Sequence, residues 1–138
     1  MSNDYQPVGA VAIGNWKAER NGRIAEALAS ILYDTEISVN AVIDGEYQGR
    51  PLEVKACQEW VTDANNSNSR RRGRFWIAQK QQKELLEGDG FYAFFVLDEH
   101  GDYLMSKLVS AREVSKYVGH ESSFQITWTR VFSELVIG

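Results

Sequence analysis

Two charged side chains set two residues apart, Glu53 and Lys55, carry the clearest chemical signal in this 138-residue chain. They lie in the stretch Gly49–Cys57, Gly-Arg-Pro-Leu-Glu-Val-Lys-Ala-Cys, where Leu52, Val54 and Ala56 alternate with Glu53, Lys55 and Cys57. A period of two predicts a strand with one apolar face and one chemically equipped face, so the carboxylate and the ammonium point the same way. Such a pair suits a hard metal ion together with an amine that handles a proton or stabilises negative charge. It also suits a solvated strand face with a weak ion pair, and the motif alone does not separate the two.

The elements that must position this pair follow from periodicity. From about Trp16 or Glu19 to Tyr33, the residues Ile24, Ala25, Leu28, Ile31 and Leu32 recur at helical spacing and predict an amphipathic helix. Glu26 falls at the edge of that apolar stripe, either as a flank carboxylate reaching water or as a group aimed at a site. Glu36–Asp44 reads as a strand, Asp44-Gly45 as a reverse turn, and Gly49 and Pro51 as the start of the next strand. This predicts a hairpin with Asp44 at its closed end, facing the Glu53 strand, although Asp-Gly has a purely structural explanation as well. The strand is expected to run on through Glu59, Trp60 and Val61, followed by a loop of Asn and Ser over 62–69 and a third strand at Phe75–Ala78. Gln79–Glu87 reads as a helix with Leu85 and Leu86 inward, and Phe91–Leu97, almost continuously apolar, as a central strand covered on both faces. A turn at Glu99–Asp102 leads into a strand at Tyr103–Val109. Ser110 then caps a helix at Ala111–Val118, with Glu113 in the capping-box position. Alternation over Phe124–Arg130 predicts a last strand.

Length and composition bound the rest. The chain has room for one core, so residues 1–138 are expected to form a single domain: a tail or edge strand over 1–14, a core over 15–97, and a C-terminal hairpin, helix and strand over 98–138. The 43% hydrophobic and 25% charged composition is that of a globular protein. There is no apolar run of bilayer length, and Met1–Pro7 lacks the basic and apolar regions of a secretory signal, so the expected address is cytoplasmic with no membrane partner. The single cysteine, Cys57, has no partner for an internal disulfide or a structural zinc site. A net charge of -4 gives no global attraction for nucleic acid, yet Arg70, Arg71, Arg72 and Arg74 gather in five residues and predict a local basic patch.

The order helix, strand, strand, strand, helix, strand, with Glu26 on the first helix (Asn21–Ala29), Asp44 at the hairpin and Leu52-Glu53-Val54-Lys55 in the second strand, resembles the PD-(D/E)XK nuclease superfamily. Archaeal-type Holliday junction resolvases and small restriction-endonuclease-like proteins are the members it is most similar to. The resemblance covers roughly residues 22–97, with one departure: Ile43 stands before Asp44, where the name-giving pattern has proline. It implies an α/β (α+β) fold with a restriction-endonuclease-like core, a central mixed sheet flanked by helices in the order αβββαβ plus a C-terminal extension. It further implies a Mg²⁺-dependent endonuclease, Mn²⁺ substituting, in which Asp44, Glu53 and the Val54 carbonyl hold the metal. Glu26 would hold a metal-bound water or a second ion, and Lys55 would act on the attacking water and the charged phosphorane.

The arginine cluster supports the same direction, since guanidinium forks match phosphate geometry and release counterions on binding DNA. Phe75 or Trp76 could stack on a base, although a strand position makes either a core candidate. Gln79 is a weaker candidate, because similar superfamily members often carry a polar residue here that faces the active site. His100 and His120 sit in turn-like contexts and read as surface residues. A junction enzyme implies a homodimer, with Phe124–Val136 as a candidate surface that a buried final strand explains equally well. Two other readings stay open: a non-catalytic nucleic-acid-binding or assembly protein on the same fold, and a small acidic protein whose arginine loop binds an acidic partner.

Overall fold

The computed structural model describes residues 10–38, 43–63, 66–119 and 122–137. Helix α1 (Ala10–Leu32) opens the fold, so residues 10–14, expected in a tail or edge strand, are helical. Its buried positions Asn21, Ala25 and Ala29 recur every four residues and are all small, which lets the helix axis approach the sheet closely. Ile31 and Leu32, expected on that face, are exposed.

Strand β1 (Glu36–Ile37) pairs antiparallel with β2 (Gly45–Tyr47), and β2 with β3 (Arg50–Gln58). Residues 39–42 of the strand expected over Glu36–Asp44 lie outside the described residues. The hairpin turn is not at Asp44-Gly45. It falls at Gln48-Gly49, both with positive φ (52° and 79°), the geometry whose twist matches the flanking strands. Gly45 is instead a strand residue opposite Leu52, where a Cβ would lie 2.0 Å from the Glu36 carbonyl oxygen. Asp44 therefore stands at the open end of the β2–β3 pair.

Beyond Gln58 the chain leaves the central sheet. β4 (Trp60–Asp63) and β5 (Asn66–Arg72) form a two-stranded antiparallel ribbon, so much of the segment expected as an Asn/Ser loop is paired strand. β6 (Arg74–Ala78) is the expected third strand, but it pairs with β9 (Ser123–Thr127) in a ladder of its own. α2 (Gln79–Glu87) buries Gln82 and Leu85, while Leu86, expected inward, is exposed. β7 (Phe91–Leu97) is buried at every position, and β8 (Tyr103–Ser110) pairs with it antiparallel. Ser110 Oγ accepts the Glu113 N–H at the start of α3 (Ala111–Val114), which runs into a 3₁₀ turn at Ser115–Tyr117. The last element is not a strand throughout: after β9 the chain turns into α4 (Trp128–Glu134), whose Trp128 and Val131 are buried at helical spacing.

The result is a mixed α/β architecture whose five-stranded central sheet, in the order β1-β2-β3-β7-β8, is flanked by helices. β3 and β7 run parallel and the other pairs antiparallel. One face, with Leu52, Val54, Phe91, Ala93 and Phe95, packs on Ala25 and Ala29 of α1. The other, with Cys57, Tyr92, Phe94 and Val96, packs under Phe75, Ile77, Leu85, Val114 and Val131. Each phenylalanine buried here contributes about 2–3 kcal/mol against exposure. Among the described residues no helix is long and apolar enough to cross a membrane.

Candidate active site

Glu53 and Lys55 project from β3 onto the face covered by α2, as their alternation predicts. Glu53 is 4% exposed, and Lys55 Nζ lies 3.4 Å from Glu53 Oε2. Burial between two covered strands, not a solvated face, is thus the setting of the pair. Asp44 joins it from the end of β2: its own N–H donates to Glu53 Oε1 at 3.2 Å, and its Oδ2 accepts the Val54 N–H at 2.8 Å. Both bonds cross the open end of the β2–β3 pair, so strand register fixes the distance between the two carboxylates.

The electrostatics are unbalanced. Burial pushes the Glu53 carboxyl up to about 7; the Lys55 ammonium opposes this, and the nearby Asp44 charge adds to it. Glu26, half-buried on α1, is also raised, first by burial and then by the Asp44 charge, with Arg23 opposing. Glu26 stands on the helix that packs against the Leu52 and Val54 face, so Asp44 is the group common to both carboxylates. The structure brings Asp44, Glu53 and Lys55 together, and places Glu26 within electrostatic reach of Asp44.

Gln79 does not face this corner: its Nε2 donates to the Gly119 carbonyl. The α2 residue that does is Gln81, whose Oε1 accepts from Lys55 Nζ at 2.9 Å. Gln82 is buried beside it, accepting the Tyr92 hydroxyl at 2.6 Å and donating to the Ala111 carbonyl at 2.9 Å. Counting back three and four residues from the buried Leu85 reaches Gln82 and Gln81, a helical-period signal that points past Gln79. Tyr92 shares the Glu53 strand face through the β3–β7 register, and its hydroxyl pKa is raised by burial and by the Glu53 charge.

The arginines divide by strand alternation. Arg72 lies over the Trp60 ring at 4.0 Å and the Trp128 ring at 5.3 Å, and Arg70 over Trp60 at 5.5 Å. Arg71 donates to the Arg72 carbonyl, and Arg74 on β6 to Gln125 Oε1 at 3.4 Å. Phe75 is fully buried, whereas Trp76 is 59% exposed. His100 is exposed, as expected, and His120 lies outside the described residues.

The donors at the corner are carboxylate oxygens, the chemistry of a hard divalent cation. Buried Glu53 beside Asp44, with the Lys55 ammonium 3.4 Å from Glu53, is short of positive charge in the way such an ion corrects. Among the described residues no three His, Cys, Asp or Glu side chains cluster as a complete ligand set. An ion that keeps several waters and takes one or two carboxylates fits this arrangement, and an all-protein cage does not.

A comparison with curated proteins gives no match. Residues 14–133, from within α1 to within α4, match the PD-(D/E)XK nuclease superfamily domain. That match takes in Glu26, Asp44, Glu53 and Lys55 and nearly all of the described fold, and this chain belongs to the PD-(D/E)XK nuclease superfamily.

Proposed function

We propose that this protein is a divalent-metal-dependent DNA endonuclease that hydrolyses phosphodiester bonds, with Glu26, Asp44, Glu53 and Lys55 as its working side chains. The observation that supports it most is the meeting of Asp44, Glu53 and Lys55 across the end of the β2–β3 pair. Asp44 and Glu53, with the Val54 carbonyl, would hold Mg²⁺, or Mn²⁺ in its place, and Glu26 a water on the helix side. A bound divalent cation supplies charge neutralisation at the scissile phosphate and acidifies an attacking water. Lys55 is the group that orients that water or stabilises the charge developing on phosphorus, and Gln81 holds its ammonium in place from α2. Glu53, raised to about 7, exchanges its proton near neutrality, so ion binding and proton release at this carboxyl are linked.

Plasmid, branched and single-stranded DNA incubated with Mg²⁺ or Mn²⁺ test the reading. Cleavage is expected with the wild type and its loss with Glu53→Ala or Lys55→Ala; activity that survives either substitution rejects it. Cleavage confined to four-way junctions would place the protein with the resolvases, which act as symmetric dimers. A restriction-like enzyme would cut linear duplex.

A second reading, a non-catalytic nucleic-acid-binding or assembly protein on this fold, draws on the absence of a complete ligand cluster among the described residues. Calorimetric titration with Mg²⁺ separates the two, because a non-catalytic descendant has no need of an ion at Asp44 and Glu53.

A further inference from the structure

A cleft of about 650 Å³ opens between α1, the β4–β5 ribbon and the outer face of β6. Its floor is the continuation of β3 from Ala56 to Gln58. Lys55 to Gln58 spans about 10 Å at the usual strand rise, and stacked nucleotides advance about 3.4 Å each. A DNA strand running from the corner along β3 would reach the cleft within about three nucleotides.

The cleft lining carries both signs of charge: Arg70 and Arg71 of the ribbon and Arg74 of β6, with Asp98 and Glu99 from the turn between β7 and β8. Lys17 of α1 and Glu59 also border the cleft. Asp98 is held below the usual carboxylate range by the backbone N–H groups of Asp102 and His100, so it stays negative. A phosphate backbone in the cleft would be drawn toward the arginines and away from these carboxylates.

Trp76 supplies what an electrostatic groove lacks. On β6, Phe75 and Ile77 are fully buried and Arg74 and Trp76 alternate outward, so Trp76 adds little to the core. Trp60 and Trp128 are covered by the Arg72 guanidinium, but Trp76 takes no ring or cation–π partner among the described residues. Gln125, opposite Trp76 in the β6–β9 ladder, ties Arg74 beside it. An open indole next to a guanidinium is a pairing that can stack a base and hold its phosphate.

We infer that this cleft is a subsite for unpaired DNA, with one base stacked on Trp76 and the backbone drawn along Arg70, Arg71 and Arg74. It rests on the reading of the protein as acting on DNA and narrows that reading to substrates with a single-stranded segment. A volume of this size lies in the range of about 300–1,000 Å³ that encloses one small ligand, and so suits one or two nucleotides and not a double helix.

Fluorescence anisotropy in EDTA, where cleavage is silent, tests it with a labelled oligothymidylate and a blunt duplex of similar length. The wild type is expected to bind the oligothymidylate more tightly than the duplex. Trp76→Ala should weaken oligothymidylate binding about tenfold and change duplex binding by less than about twofold, while Trp76→Phe restores most of the loss. Arg70→Ala with Arg74→Ala provides a second variant, expected to flatten the salt dependence of oligothymidylate binding. Thermal unfolding of each variant checks that the fold is kept. Equal affinity for the two DNAs, an unchanged affinity in Trp76→Ala, or no DNA binding at all overturns the inference. Cleavage that persists in Glu53→Ala would instead reject the nuclease reading and leave the binding result standing.

Discussion

Lys55 and Arg72 are both cations on strands, and their surroundings obey different rules. Lys55 sits on a central strand between a buried carboxylate and the Gln81 amide, with 18% of its side chain exposed. Arg72 sits on an exposed ribbon, with its guanidinium between two indole rings. Around Lys55, geometry is fixed by sheet register, and charge is left in deficit by burial. Around Arg72, charge is plentiful and geometry is fixed by stacking, since that ribbon has no ladder to the central sheet. One region is built to hold a few atoms in place, and the other to present a surface.

Mutation should separate the two regions. Glu53→Ala or Lys55→Ala is expected to lower the DNA cleavage rate by about 10²–10⁴-fold or more, with affinity for DNA in EDTA within a few-fold of wild type. Steady-state cleavage beside equilibrium binding checks this. Arg70→Ala, Arg71→Ala and Arg74→Ala combined should do the reverse. The slope of log affinity against log salt should fall by about one for each phosphate left without its guanidinium, while calorimetric Mg²⁺ affinity at the corner stays unchanged.

Acidity sharpens the contrast. In the folded protein Glu53 keeps its proton up to about 7, whereas in the unfolded chain it releases it at the ordinary carboxylate pKa. The folded state therefore binds more protons between those two values, and metal-free stability from this group falls as pH rises through the window and levels off above about 7. The loss is on the order of 1–3 kcal/mol, and Glu26, shifted the same way, adds to it. Urea midpoints at either end of the window, for wild type and Glu53→Gln, should show the fall in the first and its reduction in the second. The smallest effect belongs to Arg72. Arg72→Ala should cost about 1 kcal/mol of stability because the two indoles no longer share a cation, and weaken DNA binding less than Arg74→Ala does.

What could be read in advance divides along the same line. The alternation of Glu53 and Lys55, the uniform apolarity of Phe91–Leu97 and the Ser110 cap are local signals, and the fold keeps them. Asp44-Gly45 misled because Asp-Gly marks turns, whereas close approach of the Glu36 carbonyl is what requires glycine there. The Asn- and Ser-rich segment looked like a loop because its strand character comes from cross-strand pairing with Trp60–Asp63, which composition does not encode. Trp128 and Arg130 continued the alternation of β9 by coincidence; Val131 and Leu135, three and seven residues after Trp128, carry the helical period that replaced it. At the corner, the pattern supplied the residue types, but Gln81 in place of Gln79 depended on the phase of α2, which a nine-residue helix with three glutamines leaves open.

Gly73 joins the ribbon to β6, and a Cβ there would stand 1.9 Å from the Gln58 carbonyl oxygen. Its N–H donates to the Glu59 carbonyl, and its own carbonyl accepts the Trp128 N–H. The projecting arm is thus clamped at its root by main-chain atoms, without drawing on the side chains that would perform hydrolysis. The ribbon and the Asp44–Glu53–Lys55 corner are held by separate sets of atoms, so lengthening or recharging the ribbon should leave the hydrogen bonds of the corner in place.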